Sequence, residues 1–517
     1  MKKIIVLLAV LVSISSLAFA SGSSQSGPSV VTSKPIEFSM FYPDNATLPF
    51  RTDWLTVQKA QELFNAKITW EIIPIADFNT KVSLALNTGV NTPDVILYQS
   101  IAGENVSLAQ NGAIFPISDR SSWTPEWNAR VAEYGLQSDV NALKLKDGKL
   151  YALPRLFDKP FYDGGLILRE DLLTSNNIAA PKTFDDLYSL LSMYKKQNPS
   201  SYPMTVLVGP RVHYRMTQPS WGISLHANGA GGSRVLSWDY SKNTFFAGAT
   251  SDQYRDYMRY WNKLYKEGLL DPEMAEPING DVWTRKMATG AAIATYAYYD
   301  QIGGVAAAST IPGFKLNMYP PLAGPAGAHH QQKDKTGAGI LFPIAASKRA
   351  DFENLVRTVD KMFFSKQAEL LWCIGVEGVT YTMQGSNIKY IDSILNSPDG
   401  IYKAMQLRYG AGADPLQYLW INAREMTKYD ANYADINQKV AAMDNAIQAV
   451  PPSPRFSSPA DAERATSLMG TLFDAFNVWD NAFLTGTKSL DTDWNAYVAE
   501  MNSKGINELL QLYNNNL

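Results

Sequence analysis

The chain has 517 residues, of which 46% are hydrophobic and 18% are charged, and its formal net charge at pH 7 is −3. This length exceeds what a single hydrophobic core usually supports, so we expect two large lobes. The slightly negative charge argues against a nucleic-acid partner, because binding to a duplex requires a basic surface.

The first twenty residues have the pattern of a secretory signal peptide. Lys2 and Lys3 give a positive start, an apolar stretch runs from 4 to 12, and Ala18 and Ala20 occupy the −3 and −1 positions of a cleavage site. The apolar stretch is shorter than the ~20 residues that a membrane-spanning helix needs. No Cys follows the cleavage site, so we expect export to a periplasm without a lipid anchor.

An alternation of strands and helices follows the signal peptide. Residues 21–34 are rich in Ser and Gly and are expected to form a flexible leader. The order strand, helix, strand, helix, strand then predicts an open, mostly parallel sheet. These five predicted elements cover residues 36–42, 52–64, 69–75, 77–88 and 94–98.

The remainder of the chain continues in the same way and becomes helical towards its end. Two short extended segments flank an irregular stretch at 155–163. Thr183 and Asp186 have the spacing of a capping box at the start of a helix. Later predicted elements are a helix at 252–268, a strand at 291–296, an extended segment at 337–346 and helices at 351–372, 463–484 and 492–513.

Sequence motifs of common catalytic and metal sites are missing. The sequence has no phosphate-binding loop and no nucleophile elbow, and its four His residues form no zinc motif. The single Cys, Cys373, lies in an apolar run and is expected to be buried. We therefore predict no cofactor and no metal. Paired carboxylates of glycosidases carry no local signature, so a secreted carbohydrate-active enzyme remains an alternative.

Polar and aromatic residues recur just beyond the predicted strand ends. In open α/β sheets, ligands bind beyond the carboxyl ends of strands. Sugars offer apolar faces to aromatic rings and hydroxyl groups to polar side chains, so these positions predict a sugar site. Each residue alone could equally be a core or surface residue, but they share one topological position. The candidates are Tyr42, Asp44, Gln99, Ser100, Arg155, Asp158, Tyr162, Tyr298, Tyr299 and Asp300.

Several sequence blocks, taken in order, make the chain similar to a known family. It resembles the large solute-binding proteins of ABC transporters, and among them the periplasmic alginate-binding proteins, over nearly all of the mature chain. The blocks are PDVIL at 93–97, the stretch at 150–173 that ends in LREDLL, YWNKLYKEGLLDPEM at 260–274, GVEGVTY at 375–381 and LTGTKSLDTDW at 484–494.

The resemblance implies a fold, a mechanism and partners. We expect two α/β lobes of the periplasmic-binding-protein type, each a mostly parallel sheet flanked by helices, with a helix-rich C-terminus. Lobe one would comprise 35–157 and 337–400, lobe two 163–336 and 401–517, and the hinge crossover 158–162. A monomer of this kind would close on an oligosaccharide and deliver it to the membrane permease.

The resemblance also carries site residues over to this chain. A Trp-Gly pair in the family's cleft is similar to Trp221 and Gly222, and a further aromatic block resembles the segment that contains Tyr418 and Trp420. Which of these last two residues lines the cleft is left open by the sequence.

The chain departs from the alginate binders in one segment and leaves its ligand open. At 198–203, Asn-Pro-Ser-Ser-Tyr-Pro stands where those proteins carry a calcium loop, so we predict no calcium site. Arg155, Arg211 and Arg215 could bind a uronate carboxylate, bind neutral hydroxyl groups or form surface ion pairs. A non-sugar solute such as a peptide is a further alternative.

Overall fold

The structure is a computed structural model that describes most of the chain between Lys34 and Leu517. Residues 36–517 form one unit. None of the described helices combines the length and the apolar character needed to cross a bilayer. The predicted signal peptide lies outside the described residues. Described are residues 34–45, 48–99, 101, 104–158, 164–207, 210–225, 234–275, 280–298, 301–330, 335–385, 387–395, 397, 401–419, 443, 446, 448, 451–456 and 458–517.

Thirteen strands and eighteen α-helices are described in this part of the chain. The strands are β1 (Ile36–Asp44), β2 (Ala66–Pro74), β3 (Val95–Gln99), β4 (Leu153–Leu156), β5 (Gly164–Arg169), β6 (Met204–Val206), β7 (Ser237–Asp239), β8 (Thr244–Phe246), β9 (Ala294–Tyr298), β10 (Leu316–Tyr319), β11 (Thr336–Leu341), β12 (Tyr381–Gln384) and β13 (Asn387–Tyr390).

The helices concentrate around the sheets and at the C-terminal end. They are α1 (Leu55–Leu63), α2 (Ile75–Thr88), α3 (Glu104–Gln110), α4 (Pro125–Glu133), α5 (Gln137–Ala142), α6 (Glu170–Ser175), α7 (Phe184–Gln197), α8 (Pro210–Thr217), α9 (Asp252–Lys266), α10 (Gly280–Ala288), α11 (Gln301–Ala308), α12 (Phe352–Phe364), α13 (Lys366–Cys373), α14 (Asp392–Leu395), α15 (Ile401–Tyr409), α16 (Pro459–Thr485), α17 (Trp494–Ser503) and α18 (Ile506–Asn514).

The first sheet has five strands in the spatial order β2-β1-β3-β11-β4. Strand β1 is parallel to β2 and β3, whereas β11 is antiparallel to both β3 and β4. Four of these strands therefore point the same way. Their carboxyl ends lie at one edge of the sheet, which is also the edge where β11 begins.

The second sheet has four strands in the order β10-β5-β9-β6. Strand β5 is antiparallel to both of its neighbours, and β6 is parallel to β9. Strands β6, β9 and β10 thus end at one edge, where β5 begins. In both sheets every strand but one points the same way. The sheets are nevertheless mixed, because the reversed strand lies inside each sheet and its pairings are antiparallel. The reversed strand is in each case the one by which the chain enters from the other sheet.

Alternation of side chains along β1 builds the core of the first sheet. Phe38, Met40 and Tyr42 face one buried cluster, and Phe41 faces the cluster on the opposite side of the sheet. This is the period of two predicted from the sequence. Cys373 is also buried, as predicted.

A larger core covers the second sheet and joins it to the C-terminal helices. Helix α9 buries Tyr254, Tyr257 and Trp261 at helical spacing, and these residues pack in one cluster with α16, α17 and α18. The predicted capping box starts α7: Thr183 Oγ1 accepts the N–H of Asp186, whose carboxylate accepts the N–H of Thr183. The C-terminal helices thus contribute to the core that covers the second sheet.

The returning segment at 401–419 packs with the first sheet. Leu416, Tyr418 and Leu419 belong to the first core, and Leu419 forms a parallel bridge with Leu156 at the end of β4. The bounds of the two lobes and of the hinge remain a prediction. This packing favours extending the first lobe from residue 400 to residue 419.

Candidate ligand-binding site

A short crossover segment connects the first sheet to the second sheet. The chain leaves the first sheet at Leu156, at the end of β4, and enters the second at Gly164, at the start of β5. Seven intervening residues span at most about 29 Å between these Cα atoms. Strand β4 ends where most strands of the first sheet end, and β5 begins where most strands of the second sheet end. The crossover therefore connects the two sheets at the carboxyl ends of most of their strands. This is the position at which open α/β sheets bind ligands.

At the edge of the first sheet, Arg155 is the centre of a buried cluster. Its Nε donates a 2.6 Å hydrogen bond to the carbonyl oxygen of Gln417, and its guanidinium lies 5.2 Å from the ring centroid of Tyr98. The hydroxyl of Tyr418 accepts the backbone N–H of Tyr98 at 2.8 Å. The structure thus brings together Arg155 and Tyr418, which the sequence predicted separately.

Exposure separates the members of this cluster. Tyr418 is 1% exposed and Arg155 is 6% exposed, whereas Tyr98 is partly exposed. Tyr418 packs against Phe363 and Phe364, with ring centroids 5.1 and 5.7 Å away. Tyr418 therefore lies beneath the edge, and Tyr98 is the aromatic residue that reaches its surface.

Three other predicted residues of this edge are engaged within the first sheet. Tyr42 is buried, with its ring centroid 4.2 Å from that of Phe50. Asp44 accepts the N–H of Phe50 at 2.7 Å and so fixes the loop after β1. Gln99 accepts from the amide of Asn105 at 3.0 Å, which ties the end of β3 to α3. These contacts shape the edge.

Asp158 is exposed, and its charge acts on Glu369 of α13 and on Tyr134, which follows α4. Burial raises the pKa of Glu369, and the charge of Asp158 adds to this shift. Burial likewise raises the pKa of Tyr134, with a contribution from the charges of Glu369 and Asp158. The carboxylate of Asp158 thus lies within electrostatic reach of Glu369 and Tyr134.

The edge of the second sheet presents a second arginine–tyrosine pair. The guanidinium of Arg215, on α8, lies 5.5 Å from the ring centroid of Tyr298 and donates to its hydroxyl. Tyr298 is the last residue of β9 and pairs with Gly164 at the start of β5. Both Arg215 and Tyr298 are partly exposed. Within the described residues, Arg215 has no carboxylate partner.

Trp221 extends this second edge. It ends a short 3-10 helix that Gly222 closes with φ +78°. Its ring packs against Phe184, Tyr257 and Tyr260, with centroids 5.6, 5.8 and 6.0 Å away, and the ring remains partly exposed. Its Nε1 is buried without a hydrogen-bond partner among the described residues. Trp221 thus presents a partly exposed aromatic ring whose position is fixed by its packing against three other rings.

The remaining predicted residues cannot be placed in this arrangement. Arg211 belongs to the described backbone of α8, but its side chain is outside the described part. Five further predicted site residues lie outside the described residues, namely Ser100, Tyr162, Tyr299, Asp300 and Trp420.

A lysine of helix α7 contacts the segment at 198–203, where the sequence predicts no calcium loop. Lys195 Nζ donates a 2.6 Å hydrogen bond to the carbonyl oxygen of Ser201 and lies 4.8 Å from the ring centroid of Tyr202. Within the described part of the chain, no three His, Cys, Asp or Glu residues are grouped as a metal site would require.

Sequence reasoning missed Tyr98. Gln99 and Ser100 were selected because they follow the predicted strand, whereas Tyr98 was assigned to that strand as its last residue. The backbone of Tyr98 is left-handed, with φ +59°, and no sequence signal reveals this, since a bulky residue rarely adopts it.

Comparison with known proteins identifies the family of this chain. The family model for bacterial extracellular solute-binding proteins matches residues 56–361, which is more than half of the chain. The polygalacturonan/rhamnogalacturonan-binding protein YtcQ of Bacillus subtilis (strain 168) is 22% identical over 336 residues, 63% of each chain. Lipoprotein LipO of the same organism is 23% identical over 331 residues, 62% of each chain. The match thus spans less than two thirds of both relatives.

Solved structures show the same fold over almost the whole chain. The alginate-binding protein AlgQ2 without calcium ion is 20% identical, with a TM-score of 0.76, over 94% of this chain and 98% of that chain. An HMO-binding, ABC-transporter-associated solute-binding protein from Bifidobacterium longum infantis is 16% identical, with a TM-score of 0.71, over 93% and 98%. The predicted two-lobed α/β binding-protein fold is confirmed. The chain belongs to the family of bacterial extracellular solute-binding proteins.

Proposed function

We propose that this protein is the oligosaccharide-binding component of an ABC importer. The observation that carries the proposal is the pair of arginine–tyrosine contacts at the connected sheet edges, Arg155 with Tyr98 and Arg215 with Tyr298. Each pair combines a partly exposed aromatic ring with a guanidinium. A ring packs on the apolar face of a sugar, and the partly exposed guanidinium of Arg215 can bind hydroxyl or carboxylate oxygens.

The names of the similar proteins support a glycan as the ligand. They include polygalacturonan, rhamnogalacturonan, alginate and HMO binders. Trp221 adds a further aromatic surface at the second edge, which suits a ligand of more than one sugar unit. The predicted site residues, including those outside the described part, remain part of this proposal. The buried members Tyr42, Gln99, Arg155 and Tyr418 would support the residues that contact the ligand.

Ligand capture would shift the protein between an open and a closed arrangement of two lobes. A ligand that contacts both edges binds the closed form better and so raises its population. The closed form would then deliver the ligand to the membrane permease. We propose that the protein acts as a monomer, without a cofactor or catalysis, and does not bind nucleic acid.

Export would use the N-terminal signal peptide. The relative LipO is named a lipoprotein, but the one cysteine of this sequence, Cys373, is buried inside the folded unit. We therefore propose a periplasmic protein without a lipid anchor. Mass spectrometry of the exported protein tests this, and a lipid-modified N-terminus would contradict it.

The binding proposal is tested by calorimetric titration of the purified mature protein. The panel comprises oligogalacturonates, alginate oligosaccharides, neutral oligosaccharides and short peptides. We expect a saturable signal with at least one oligosaccharide class and none with the peptides. Binding to peptides alone would contradict the proposal. Release of new reducing ends from any bound glycan would establish an enzyme instead.

A further inference from the structure

Tyr98 adopts a backbone conformation that its side chain disfavours. Its φ of +59° lies in the left-handed region, where a Cβ crowds the backbone. Asparagine tolerates this region better than other non-glycine residues. Tyr98 is the exception among the described non-glycine residues with positive φ, because the others are all asparagines, namely Asn65, Asn91, Asn177 and Asn243.

The unusual conformation belongs to a β-bulge in β3. Gln99 lies opposite Gly339 and Ile96 lies opposite Leu341, so three steps on β3 face two steps on β11. Simple alternation would place the ring of Tyr98 on the same face as Ile96. The ring packs instead with the cluster on the opposite face. Bulges with a left-handed residue redirect side chains in this way, often beside binding sites.

Two buried residues hold Tyr98 in this position. Tyr418 accepts the N–H of Tyr98 at 2.8 Å and donates to the carbonyl oxygen of Gly339 at 3.4 Å. Arg155 lies 5.2 Å from the centroid of the Tyr98 ring. The supports are thus buried, and the supported ring is partly exposed at the carboxyl end of β3.

The fold alone does not require tyrosine at this bulge. Glycine or asparagine would adopt the same φ with less strain. Strained residues that the surrounding structure holds in place occur preferentially at functional sites. We propose that Tyr98 is a ligand-contacting residue that packs its ring on a sugar ring from the first sheet, and that Tyr418 and Arg155 are positioning residues for it. This inference rests on the proposed oligosaccharide-binding function.

The test compares three variants of the mature protein with the wild type by calorimetry and thermal unfolding. Tyr98→Gly and Tyr98→Asn relieve the backbone strain but remove the ring, and Tyr98→Phe keeps the ring as the matched control. We expect the Kd for the best glycan of the panel to rise about tenfold or more in the first two variants, because an aromatic contact is lost. Their melting temperatures should stay near or above that of the wild type, and Tyr98→Phe, which keeps the ring, should raise the Kd much less than they do.

A double variant tests the positioning role. Tyr418→Phe should raise the Kd in the wild-type background and have no further effect in the Tyr98→Gly background, because the two residues act through one contact. An unchanged Kd in folded Tyr98→Gly and Tyr98→Asn would overturn the inference while leaving the proposed function intact. If the wild type binds no glycan, the proposed function fails and this inference fails with it.

Discussion

The side chain of Arg155 donates a 2.6 Å hydrogen bond to the main-chain carbonyl oxygen of Gln417, 262 residues later in the chain. Next to this contact, the N–H of Leu156 donates to the carbonyl oxygen of Tyr418 at 2.9 Å. The end of β4 and the returning segment before residue 420 are therefore bonded side by side. Any hinge motion between the sheets has to start beyond this junction.

Replacing Arg155 should weaken both the fold and ligand binding. In Arg155→Met the carbonyl of Gln417 loses a charged donor, and a buried bond of this kind contributes about 1.5–3 kcal/mol. The ring of Tyr98 also loses its cation. We expect a lower melting temperature together with a higher Kd for the glycan.

A surface arginine provides the control for this variant. Arg120 also donates to a carbonyl, that of Asp119 at 2.9 Å, and lies 5.4 Å from the ring centroid of Trp123, but it is exposed. Arg120→Met should leave both the melting temperature and the Kd nearly unchanged. Equal effects of the two replacements would show that Arg155 has no special role.

Arg215 should discriminate between acidic and neutral sugars. Its charge has no carboxylate partner in the described part of the chain, so a ligand carboxylate would gain a charge-assisted hydrogen bond. In Arg215→Gln we expect the Kd for acidic oligosaccharides to rise by about tenfold, with a smaller change for neutral ones. Arg234→Gln is the control, since Arg234 is exposed and stacks on Phe473 at 4.6 Å. A uniform loss across both sugar classes would instead indicate contacts with hydroxyl groups.

The elements that depend on local periodicity could be predicted from the sequence. The alternation of Phe38, Met40 and Tyr42 identified β1 and its buried face, and the spacing of Thr183 and Asp186 identified the start of α7. Both patterns depend on residues only a few positions apart in the chain, so the tertiary structure leaves them unchanged.

The geometry of the site could not be predicted in the same way. The conformation of Tyr98 depends on a hydrogen bond to Tyr418, 320 residues away, and on a shifted register between β3 and β11. The sequence identified Tyr418 as a site residue but could not show that it is buried. Asp44 and Gln99 were predicted to follow their strands, whereas the structure makes them the last residues of β1 and β3. Their bonds to Phe50 and Asn105 depend on the tertiary structure.

Calcium should have no effect on the stability of this protein. The ammonium group of Lys195 already binds the carbonyl oxygen of Ser201 in the segment at 198–203. We expect the same melting temperature with added calcium and with a chelator. A rise of several degrees with calcium would contradict this expectation.

Removing the cation of Lys195 should destabilise the same segment. Lys195→Met leaves the carbonyl of Ser201 without this donor, which costs about 1–3 kcal/mol for a partly buried group. Lys196→Met changes the neighbouring exposed lysine and serves as the control. A lower melting temperature in the first variant alone is the expected result.

Asp360 should make the stability of the first sheet depend on pH. Its buried carboxylate accepts the N–H groups of Glu126 and Trp127, at 2.8 and 2.9 Å, at the start of α4. Burial raises the pKa of Asp360 to about 6, and the two hydrogen bonds oppose this shift only in part. The folded protein therefore holds a proton on this group over a pH range in which the unfolded chain has released it.

The sign of the effect follows from this difference in proton binding. Between about pH 6 and pH 4 the folded state binds more protons, so the contribution of Asp360 to the free energy of unfolding increases as the pH falls. The full difference is on the order of 3 kcal/mol. Asp360→Asn removes the titrating group but keeps its shape. Thermal unfolding of both proteins from pH 7 to pH 4 should show the wild type gaining stability relative to the variant, and parallel curves would refute the assignment.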